Sequence, residues 1–278
     1  MQPVANMRPV NIMRRLLFGY VIFHFFQISS VIDLLYSPAQ TFIPTHSLSE
    51  FNRGTLVNLL SVDAIGKYYM WFFIAQVFFA FMGLCGFFPR ISSFIVFFTT
   101  VNLQNRIYPT VTGGDVLLFL MFFYLSFVSD GKKLKNEHLN QLQNAADRVF
   151  IFLIKAQLII VYGISAIYKL QSPQWIDGTA VQQILLIDEY SFPALQKLVC
   201  SAPVIFKLLT WLTLLYQIAF PVLIFVKRVK NYLLLSGLIF HLFIAFGMGL
   251  FNFSLVTVCC YAVFYDFRAK IEPSSRFS

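Results

Sequence analysis

The sequence has few charged residues, no stretch typical of a flexible linker and no internal repeat. Charged side chains make up 12% of the 278 residues, whereas about a quarter is usual in soluble domains. This shortage excludes an ordinary soluble protein. Because no Gly/Ser/Pro-rich segment or repeat divides the chain, we predict a single domain over residues 1–278.

Cysteine is also scarce, and its spacing does not fit a metal site. The chain has four cysteines, Cys85, Cys200, Cys259 and Cys260, and none forms a CxxC pair. Only Cys200 falls in a predicted outer loop, where no second cysteine is available to it. We therefore predict no metal site and interpret the cysteines as small apolar packing residues.

Apolar residues dominate the chain. Hydrophobic residues make up 58% of it, 34 of them Phe, and the mean hydropathy is +0.72. Backbone polar groups in hydrocarbon must be satisfied within each segment, so apolar spans are expected to be helices. We predict an all-α, polytopic transmembrane helical bundle of about eight membrane segments, some of them short or re-entrant. The segments are residues 16–35, 68–88, 91–104, 115–129, 149–169, 203–226, 231–250 and 253–265.

The net charge of +9 follows the predicted topology. With the N-terminus inside, most of the 21 Lys and Arg residues fall on inner segments, as the positive-inside rule requires. The six on outer segments are Arg53, Lys67, Arg106, Lys169, Lys197 and Lys207. We therefore expect both termini in the cytoplasm, contact with anionic membrane lipid and no nucleic-acid partner. The first span, which follows Arg14 and Arg15, is interpreted as a retained signal anchor.

Polar residues form a stripe on the fifth apolar segment. Lys155, Leu158, Tyr162, Ser165 and Lys169 follow one another at steps of three and four, the spacing of one helix face. Because four of the five are polar, we expect this face to point toward protein or trapped water and not toward lipid tails.

Two interpretations of Lys169 stay open at this point. A lysine at the end of a span can extend its ammonium group into the headgroup region as a membrane anchor. Alternatively, Lys169 acts as a base, which requires a neutral amine, a state that a pocket of low dielectric constant favours for lysines in general.

A second polar cluster lies in an outer connection, NLQNRIYPTVTGGD. Gly113 and Gly114 permit positive φ or close backbone approach, and Asp115 is placed to act as the N-cap of the fourth span. One interpretation is a capped helix with a surface ion pair between Arg106 and Asp115. The other is a re-entrant turn in which Arg106 and the glycine amides bind an anionic or carbonyl-bearing ligand.

The third cluster surrounds a histidine in the middle of an apolar span. His241 is followed by Gly247 and Gly249, small residues that let a neighbouring helix approach. A lone histidine in such a place is either a hydrogen-bonded packing residue or a group for proton transfer near neutral pH.

Three segments together resemble a known family. YKLQSPQWIDG resembles the KL...W.(D/E)G segment of vitamin K-dependent gamma-carboxylases, and HLFIAFGMGLFNFSL resembles their histidine-led span. NRIYPTVTGGDVLLFLMFFYLSF is similar to the GGD-led span of the small bacterial HTTM (horizontally transferred transmembrane) proteins related to those carboxylases. The likeness covers residues 10–265.

The resemblance implies a chemistry for these positions. Lys169 would be the base that deprotonates a reduced quinone, vitamin K or menaquinone hydroquinone, whose oxygenation yields a strong base for the carboxylation of a glutamate. Trp175 and Gly178 would shape the adjacent loop, and His241 would line the pocket. Arg106, Gly113, Gly114, Asp115, Tyr162 and Ser165 are the other predicted pocket residues. The carboxylases have an asparagine–histidine pair where this chain has GGD.

The sequence therefore yields a function and an alternative. The first is a quinol-dependent membrane enzyme of the carboxylase-like group, which modifies a peptide or small substrate at the outer face of a bacterial cytoplasmic membrane. The alternative is a non-catalytic maturation or immunity subunit that accompanies a secreted peptide or a partner membrane protein. Related small HTTM members include proteins that help to mature a peptide toxin, which is a precedent for such a role. A transporter is less favoured because the sequence shows no inverted repeat.

Overall fold

In a computed structural model of the protein, residues 7–38, 58–61, 63–132 and 134–265 are described. Their regular structure is helical, with no strand among them. The α-helices are α1 Arg8–Ile28, α2 Ile32–Tyr36, α3 Asp63–Gly66, α4 Tyr69–Leu84, α5 Pro89–Arg106, α6 Gly113–Phe127, α7 Glu137–Leu170, α8 Pro173–Ile176, α9 Ala180–Leu185, α10 Pro193–Ser201, α11 Pro203–Leu223, α12 Lys230–Met248 and α13 Phe251–Tyr261. Short 3-10 helices are Ser29–Val31, Leu59–Ser61, Tyr108–Thr110, Asp188–Tyr190 and Ala262–Phe264.

Every predicted apolar segment coincides with a helix, but two helices begin well before their apolar part. The helix predicted from residue 16 begins at Arg8, and the one predicted from residue 149 begins at Glu137. Hydropathy marks only the part of a helix that is apolar, and the backbone hydrogen bonds continue into the polar sequence before it.

Several of these helices can cross a membrane. Within the described ranges, four stretches are long and apolar enough, namely Arg8–Tyr36, Glu137–Leu170, Pro203–Leu223 and Lys230–Met248. Tyr69–Leu84, Gly113–Phe127 and Phe251–Phe264 are apolar but shorter. Large apolar side chains are exposed on the long helices, for example Phe152, Val222 and Phe246. An exposed apolar surface of this kind suits lipid, so the chain has the character of a multi-pass membrane protein.

The chain divides into two compact units, Met1–Leu153 and Ile154–Ser278, and the boundary falls inside α7. In the first unit, α1 packs against α4, α4 against α5, and α5 against α6. The core of this unit contains Ile32, Tyr36, Leu60, Phe73 and Leu103. Helix α7 runs through this boundary. The single domain expected from the sequence stays a prediction.

A buried polar cluster closes the C-terminal end of α6 in the first unit. Arg14 is buried, and its Nη2 donates to the carbonyl of Val128 at 2.6 Å and to that of Leu125 at 3.3 Å. The carboxylate of Asp147 accepts hydrogen bonds from the N–H and hydroxyl of Ser129 at 2.7 and 2.6 Å. Arg14 thus satisfies carbonyl groups that the C-terminal end of a helix leaves without intrahelical partners, and Asp147 satisfies the N–H of the residue that follows the C-cap.

The cysteines divide between packing and surface positions. Cys260 is buried and Cys259 half-buried, as a packing role requires, whereas Cys85 and Cys200 are exposed. The packing interpretation is therefore wrong for Cys85 and Cys200.

Candidate functional site

The second unit contains a cavity of about 700 Å³. Its walls come from α7, α11, α12 and α13, with contributions from α8 and α9, and most of the lining side chains are apolar. The polar residues of the lining are Tyr162, Ser165, Lys169, Thr213, Tyr216, Gln217, Ser236, His241 and Thr257. Five residues selected from the sequence therefore lie on one cavity: Tyr162, Ser165, Lys169, Trp175 and His241.

The polar stripe of α7 faces the interior of this unit. Tyr162 and Ala166 are buried, whereas Ile160, Ile164 and Ile167 on the other face are about half exposed. This difference follows the helical period, which places residues three or four apart on the same side. The helix therefore presents apolar side chains outward and the hydroxyl of Tyr162 inward.

Lys169 lies at the C-terminal end of α7 and contacts an aromatic ring. Its Nζ is 4.8 Å from the centroid of the Trp175 ring, within the range of a cation–π interaction. Trp175 belongs to α8, which begins three residues after α7 ends, and both side chains are half-buried. A similar pair, Lys207 over Trp211 at 5.1 Å, is exposed, and neither of its members lines the cavity.

Gly178 holds the turn after α8 close to α11. Its φ is +87°, in the left-handed region, and a Cβ at this position would lie 2.6 Å from Cγ of Lys207. The indole N–H of Trp211 donates to the carbonyl of Ile176 at 3.1 Å. Gly178 itself is not part of the cavity lining, so its contribution is to fix the turn that follows Trp175.

Asp177, which is exposed, stabilises the same turn through hydrogen bonds. Hydrogen bonds from the hydroxyl and the backbone N–H of Thr179, at 2.7 and 2.9 Å, reach its Oδ1. These bonds lower the pKa of Asp177, with a smaller effect from the charge of Lys207. The carboxylate is therefore ionised near neutral pH and caps the turn.

His241 is 1% exposed and belongs to a hydrogen-bonded chain of aromatic side chains. Its Nε2 lies 2.7 Å from the hydroxyl of Tyr162. That hydroxyl also bonds to the hydroxyl of Tyr261, which lies 3.0 Å from the hydroxyl of Tyr216. This series of hydrogen-bonded side chains, Tyr216, Tyr261, Tyr162 and His241, is called the hydroxyl chain below. It links α7, α11, α12 and α13 through residues that are distant in sequence.

A glycine on α12 makes room for the hydroxyl chain. A Cβ on Gly237 would lie 2.1 Å from the hydroxyl oxygen of Tyr216 and 2.6 Å from that of Tyr261. The sequence prediction assigned close approach to Gly247 and Gly249. Instead, Gly249 ends α12 in the left-handed conformation, with φ +70°, and Gly237 gives the closest approach.

Two buried polar atoms, on residues of the cavity wall, have no hydrogen-bond partner among the described residues. They are Nδ1 of His241 and Oε1 of Gln217, on residues that are 1% and 8% exposed. Leaving a buried polar atom unpaired costs about 1 to 3 kcal/mol. Both residues line the cavity, but the two atoms themselves are shielded by their neighbours.

Sequence reasoning missed Gln217, Tyr216, Tyr261 and Gly237. Gln217 had a usable signal, since it is a polar residue inside an apolar span, the criterion that selected the stripe on α7. The two tyrosines and Gly237 had none, because nothing in their local sequence shows that they meet.

The cluster around the diglycine lies in the first unit. Gly113 and Gly114 form the first turn of α6, and neither has a positive φ. The N-cap is Thr112, whose hydroxyl accepts a bond from the N–H of Asp115, while the Asp115 carboxylate accepts from the N–H of Thr112 at 2.8 Å. The N-cap prediction for Asp115 is therefore wrong. Thr112 precedes the helix and Asp115 lies at N3 of a capping box.

Arg106 is not at the surface. It is fully buried at the end of α5, and its Nε donates to the carbonyl of Tyr36 at 3.4 Å. The predicted surface ion pair with Asp115 is therefore wrong, since burial excludes the arginine from the surface and Asp115 caps its own helix. Within the described ranges, no group of three or more His, Cys, Asp or Glu side chains is placed to hold a metal ion.

Comparison with known proteins gives distant similarities. No family model matches the chain, and no solved structure matches it. An uncharacterized protein of Bacillus subtilis strain 168, YitO, is 28% identical over 180 residues, covering 60% of this chain. The sporulation-delaying protein SdpB of the same strain is 21% identical over 189 residues, covering 63% of this chain. The matches span 58% of the length of each relative, so the comparisons establish distant similarity to YitO and SdpB.

Proposed function

We propose that the protein is a quinol-dependent membrane enzyme that modifies a peptide or small substrate, with Lys169 as the base. One observation carries the proposal. Lys169, Tyr162 and His241 line the same, largely apolar cavity. An apolar pocket with a few converging polar groups is the usual form of a small-molecule site.

The residues of the cavity fit a reduced quinone. Its volume of about 700 Å³ is within the range of about 300 to 1,000 Å³ that is usual for ligand pockets. Polar side chains of the lining, among them Ser165, Thr213 and Tyr216, offer hydrogen-bond partners to ring oxygens. When bound, the quinol would supply the electrons that reduce dioxygen, as the carboxylase resemblance implies.

Lys169 acts by accepting a proton. A neutral amine takes the proton of a ligand hydroxyl and becomes an ammonium group. The face of Trp175, 4.8 Å from Nζ, stabilises that new positive charge by about 0.5 to 2 kcal/mol. Most of the side chains that line the cavity with this pair are apolar, and electrostatic interactions are stronger in surroundings of low dielectric constant.

His241 and the stripe of α7 orient the ligand. The hydroxyl of Tyr162 holds Nε2 of His241, so the imidazole has a fixed position on the wall. Ser165 lies between Tyr162 and Lys169 on the same helix face and also lines the cavity. Together they form a polar track along one side of an otherwise apolar space.

The topology proposed for this function has eight membrane segments and both termini in the cytoplasm of a bacterial cell. In this topology the C-terminal end of α7, where Lys169 lines the cavity, faces the exterior, and the proposed entrance of the cavity lies there. Helices α8, α9 and α10 follow there, and Val181, Leu185, Val199 and Phe206 form a local core with Trp175. A peptide substrate reaching the cavity would meet this small helical layer.

A second function rests on the similarity to SdpB, whose name describes a sporulation-delaying protein. In this alternative the protein is an HTTM-like, non-catalytic subunit that holds a secreted peptide or a partner membrane protein. Lys169 and His241 would then bind a partner group and no proton would be transferred.

The test compares two lysines that each lie over a tryptophan. Wild type, Lys169→Met and Lys207→Met are reconstituted in lipid nanodiscs, and dioxygen-dependent oxidation of menadiol is measured. We expect Lys169→Met to lose about 10²- to 10⁴-fold in rate, the usual range for a general base, and Lys207→Met to stay within about twofold. Thermal unfolding confirms that each variant is folded.

Two results would contradict the enzyme. One is a wild-type rate no higher than that of empty nanodiscs, and the other is a folded Lys169→Met variant with the wild-type rate. A protein that co-purifies stably with wild type and with Lys169→Met alike would favour the partner function.

A further inference from the structure

The cavity of the second unit has an opening in its side wall. Among the described residues that line the cavity, most are buried or half-buried and four are exposed. The exposed ones are Leu212 and Leu215 on α11 and Ser236 and Ile239 on α12. A residue that borders both a cavity and the surface lies at the edge of an opening. The opening therefore lies between α11 and α12, and its four exposed residues are called the rim below.

In a bilayer, the rim lies at the depth of the lipid tails. Pro203–Leu223 and Lys230–Met248 are both long and apolar enough to cross a membrane. Leu215 and Ile239 are near the middle of these helices. Since the hydrocarbon core of a bilayer is about 30 Å thick, the middle of a helix that crosses it is surrounded by lipid tails and not by water.

The side chains of the rim suit hydrocarbon. Leu212, Leu215 and Ile239 are 57%, 61% and 62% exposed. The hydroxyl of Ser236 donates to the carbonyl of Leu233, one turn earlier on α12, at 2.9 Å. Because the hydroxyl proton already has an acceptor within its own helix, Ser236 can face an apolar group. The rim thus favours a hydrocarbon tail over a charged or peptide group.

The packing of α12 leaves room for such a tail. This helix packs mainly against α13 and less extensively against α11. Helices α11 and α12 meet at the rings of Tyr216 and Phe240, whose centroids are 5.5 Å apart, and both rings line the cavity. A tail between the two helices would therefore pass beside aromatic rings on its way out of the cavity.

We propose that the ligand of the cavity carries a long hydrocarbon tail and enters from the bilayer, sideways, between α11 and α12. The ring of the ligand occupies the cavity, and its tail rests on the rim and continues into the lipid. This inference rests on the proposed function for the quinone ring, and it adds the tail, the route of entry and the residues that contact the tail. The rim is separate from the entrance proposed at the end of α7, which serves the substrate that is modified.

The route follows from the cost of exposing a hydrocarbon tail to water. Every CH₂ group that moves from apolar surroundings into water raises the free energy, so a ligand with a long tail stays dissolved in the bilayer. Entry at the end of α7 would draw the tail out of the lipid. Entry through the rim keeps it in apolar surroundings throughout.

The experiment locates the tail by photolabelling. The probe is the naphthoquinone ring of menadione with a decyl tail that carries a diazirine close to the ring. It is used in the oxidised form, so that no turnover is needed. The full chain in lipid nanodiscs is irradiated with the probe, with and without an excess of phylloquinone, and the labelled residues are identified by mass spectrometry. A phosphatidylcholine with the same diazirine shows which surfaces any lipid reaches.

We expect the labels that phylloquinone suppresses to lie on α11 and α12, at or next to the rim. Labels from the phosphatidylcholine probe should not be suppressed. Three results would overturn the proposal: no suppressible label, suppressible labels on α8 or α9, or a rim that the phosphatidylcholine probe labels as strongly in the presence of phylloquinone as without it.

Two variants narrow the opening, and a third is the matched control. Ile239→Trp and Leu215→Trp place a large side chain on the rim from opposite helices, and each should lower the suppressible labelling by about tenfold or more, as expected for overpacking. Leu242 is 47% exposed on α12 and does not line the cavity, so Leu242→Trp should change the labelling by less than about twofold. Thermal unfolding identifies folded variants. Equal labelling of a folded rim variant and of Leu242→Trp would also overturn the proposal, and the wild-type label positions decide it even if both rim variants unfold.

The two proposals can fail separately. Suppressible labels at the rim of a wild type that does not oxidise menadiol would contradict the enzyme and support the entry route. A wild type that oxidises menadiol but gives no suppressible label at the rim would do the reverse.

Discussion

The hydroxyl of Tyr162 on α7 lies 2.7 Å from Nε2 of His241 on α12. The two residues are 79 positions apart in sequence, and both are at most 3% exposed. Their hydrogen bond joins two polar features that the sequence shows only separately, the stripe of α7 and the histidine of a later span. It also places both on the wall of one cavity.

Tyr162→Phe should destabilise the protein by about 1 to 3 kcal/mol, because it leaves buried groups on His241 and Tyr261 without their partner. Tyr168→Phe is the matched control, since Tyr168 is on the same helix and is 69% exposed. We expect it to change stability by less than about 0.5 kcal/mol. Thermal unfolding in detergent compares the two. Equal stability of both variants would show that the Tyr162 hydroxyl contributes nothing.

Gln217→Met should stabilise the ligand-free protein, by up to about 3 kcal/mol, because it removes a buried acceptor that has no partner among the described residues. Gln76 is equally buried, at 8% exposed, but its Nε2 donates to the hydroxyl of Thr100 at 2.8 Å. Gln76→Met should therefore destabilise the protein. Unfolding midpoints measured without ligand give the sign of each change, and a loss of stability in Gln217→Met would contradict this prediction.

Gly237→Ala should disrupt the hydroxyl chain. The added Cβ would lie 2.1 Å from the hydroxyl oxygen of Tyr216, so the helix or the tyrosine must move. We expect a loss of about 1 to 3 kcal/mol, as is usual for overpacking. Gly163→Ala on α7 would meet only Cγ of Pro221 at 3.7 Å, and it should gain up to about 1 kcal/mol from helix propensity. Similar midpoints for the two variants would mean that the approach at Gly237 is not tight.

Arg14→Leu should destabilise the first unit by about 2 to 4 kcal/mol. The charged side chain donates to carbonyls at the end of α6, and bonds from charged groups are among the strongest. Arg15→Leu removes the same charge from the neighbouring position, which is exposed, and should cost less than about 0.5 kcal/mol. Limited proteolysis and thermal unfolding distinguish the two variants. Equal effects would indicate that only the charge matters.

Much of the secondary structure was predictable because hydropathy is a local property. The apolar segments coincide with helices, and the spacing of Tyr162, Ser165 and Lys169 placed them on one face of α7. The predictions that were wrong concern features that depend on neighbours distant in sequence or on backbone geometry. Arg106 is basic and next to a predicted loop, so its burial follows only from the packing of α5. Asp115 follows two glycines, but the helix had already begun at the first of them.

The candidate site was predictable only in part for the same reason. His241 stood out because a titratable group in hydrocarbon is costly, and Lys169 because it ends a polar stripe. Tyr216, Tyr261 and Gly237 have no such signal, since tyrosine and glycine are common in apolar helices. Their roles come from a close approach between helices that the linear sequence does not encode in any short pattern.

The sequence by itself determined that this is a helical, multi-pass membrane protein, because a chain so rich in apolar residues satisfies its backbone in lipid by forming helices. It also determined which faces of those helices carry polar groups, because helical periodicity is fixed. Only the tertiary structure decided which of those groups meet. The cavity, the hydroxyl chain and the unpaired atoms of His241 and Gln217 arise from packing between helices, which depends on side-chain shape at many positions at once.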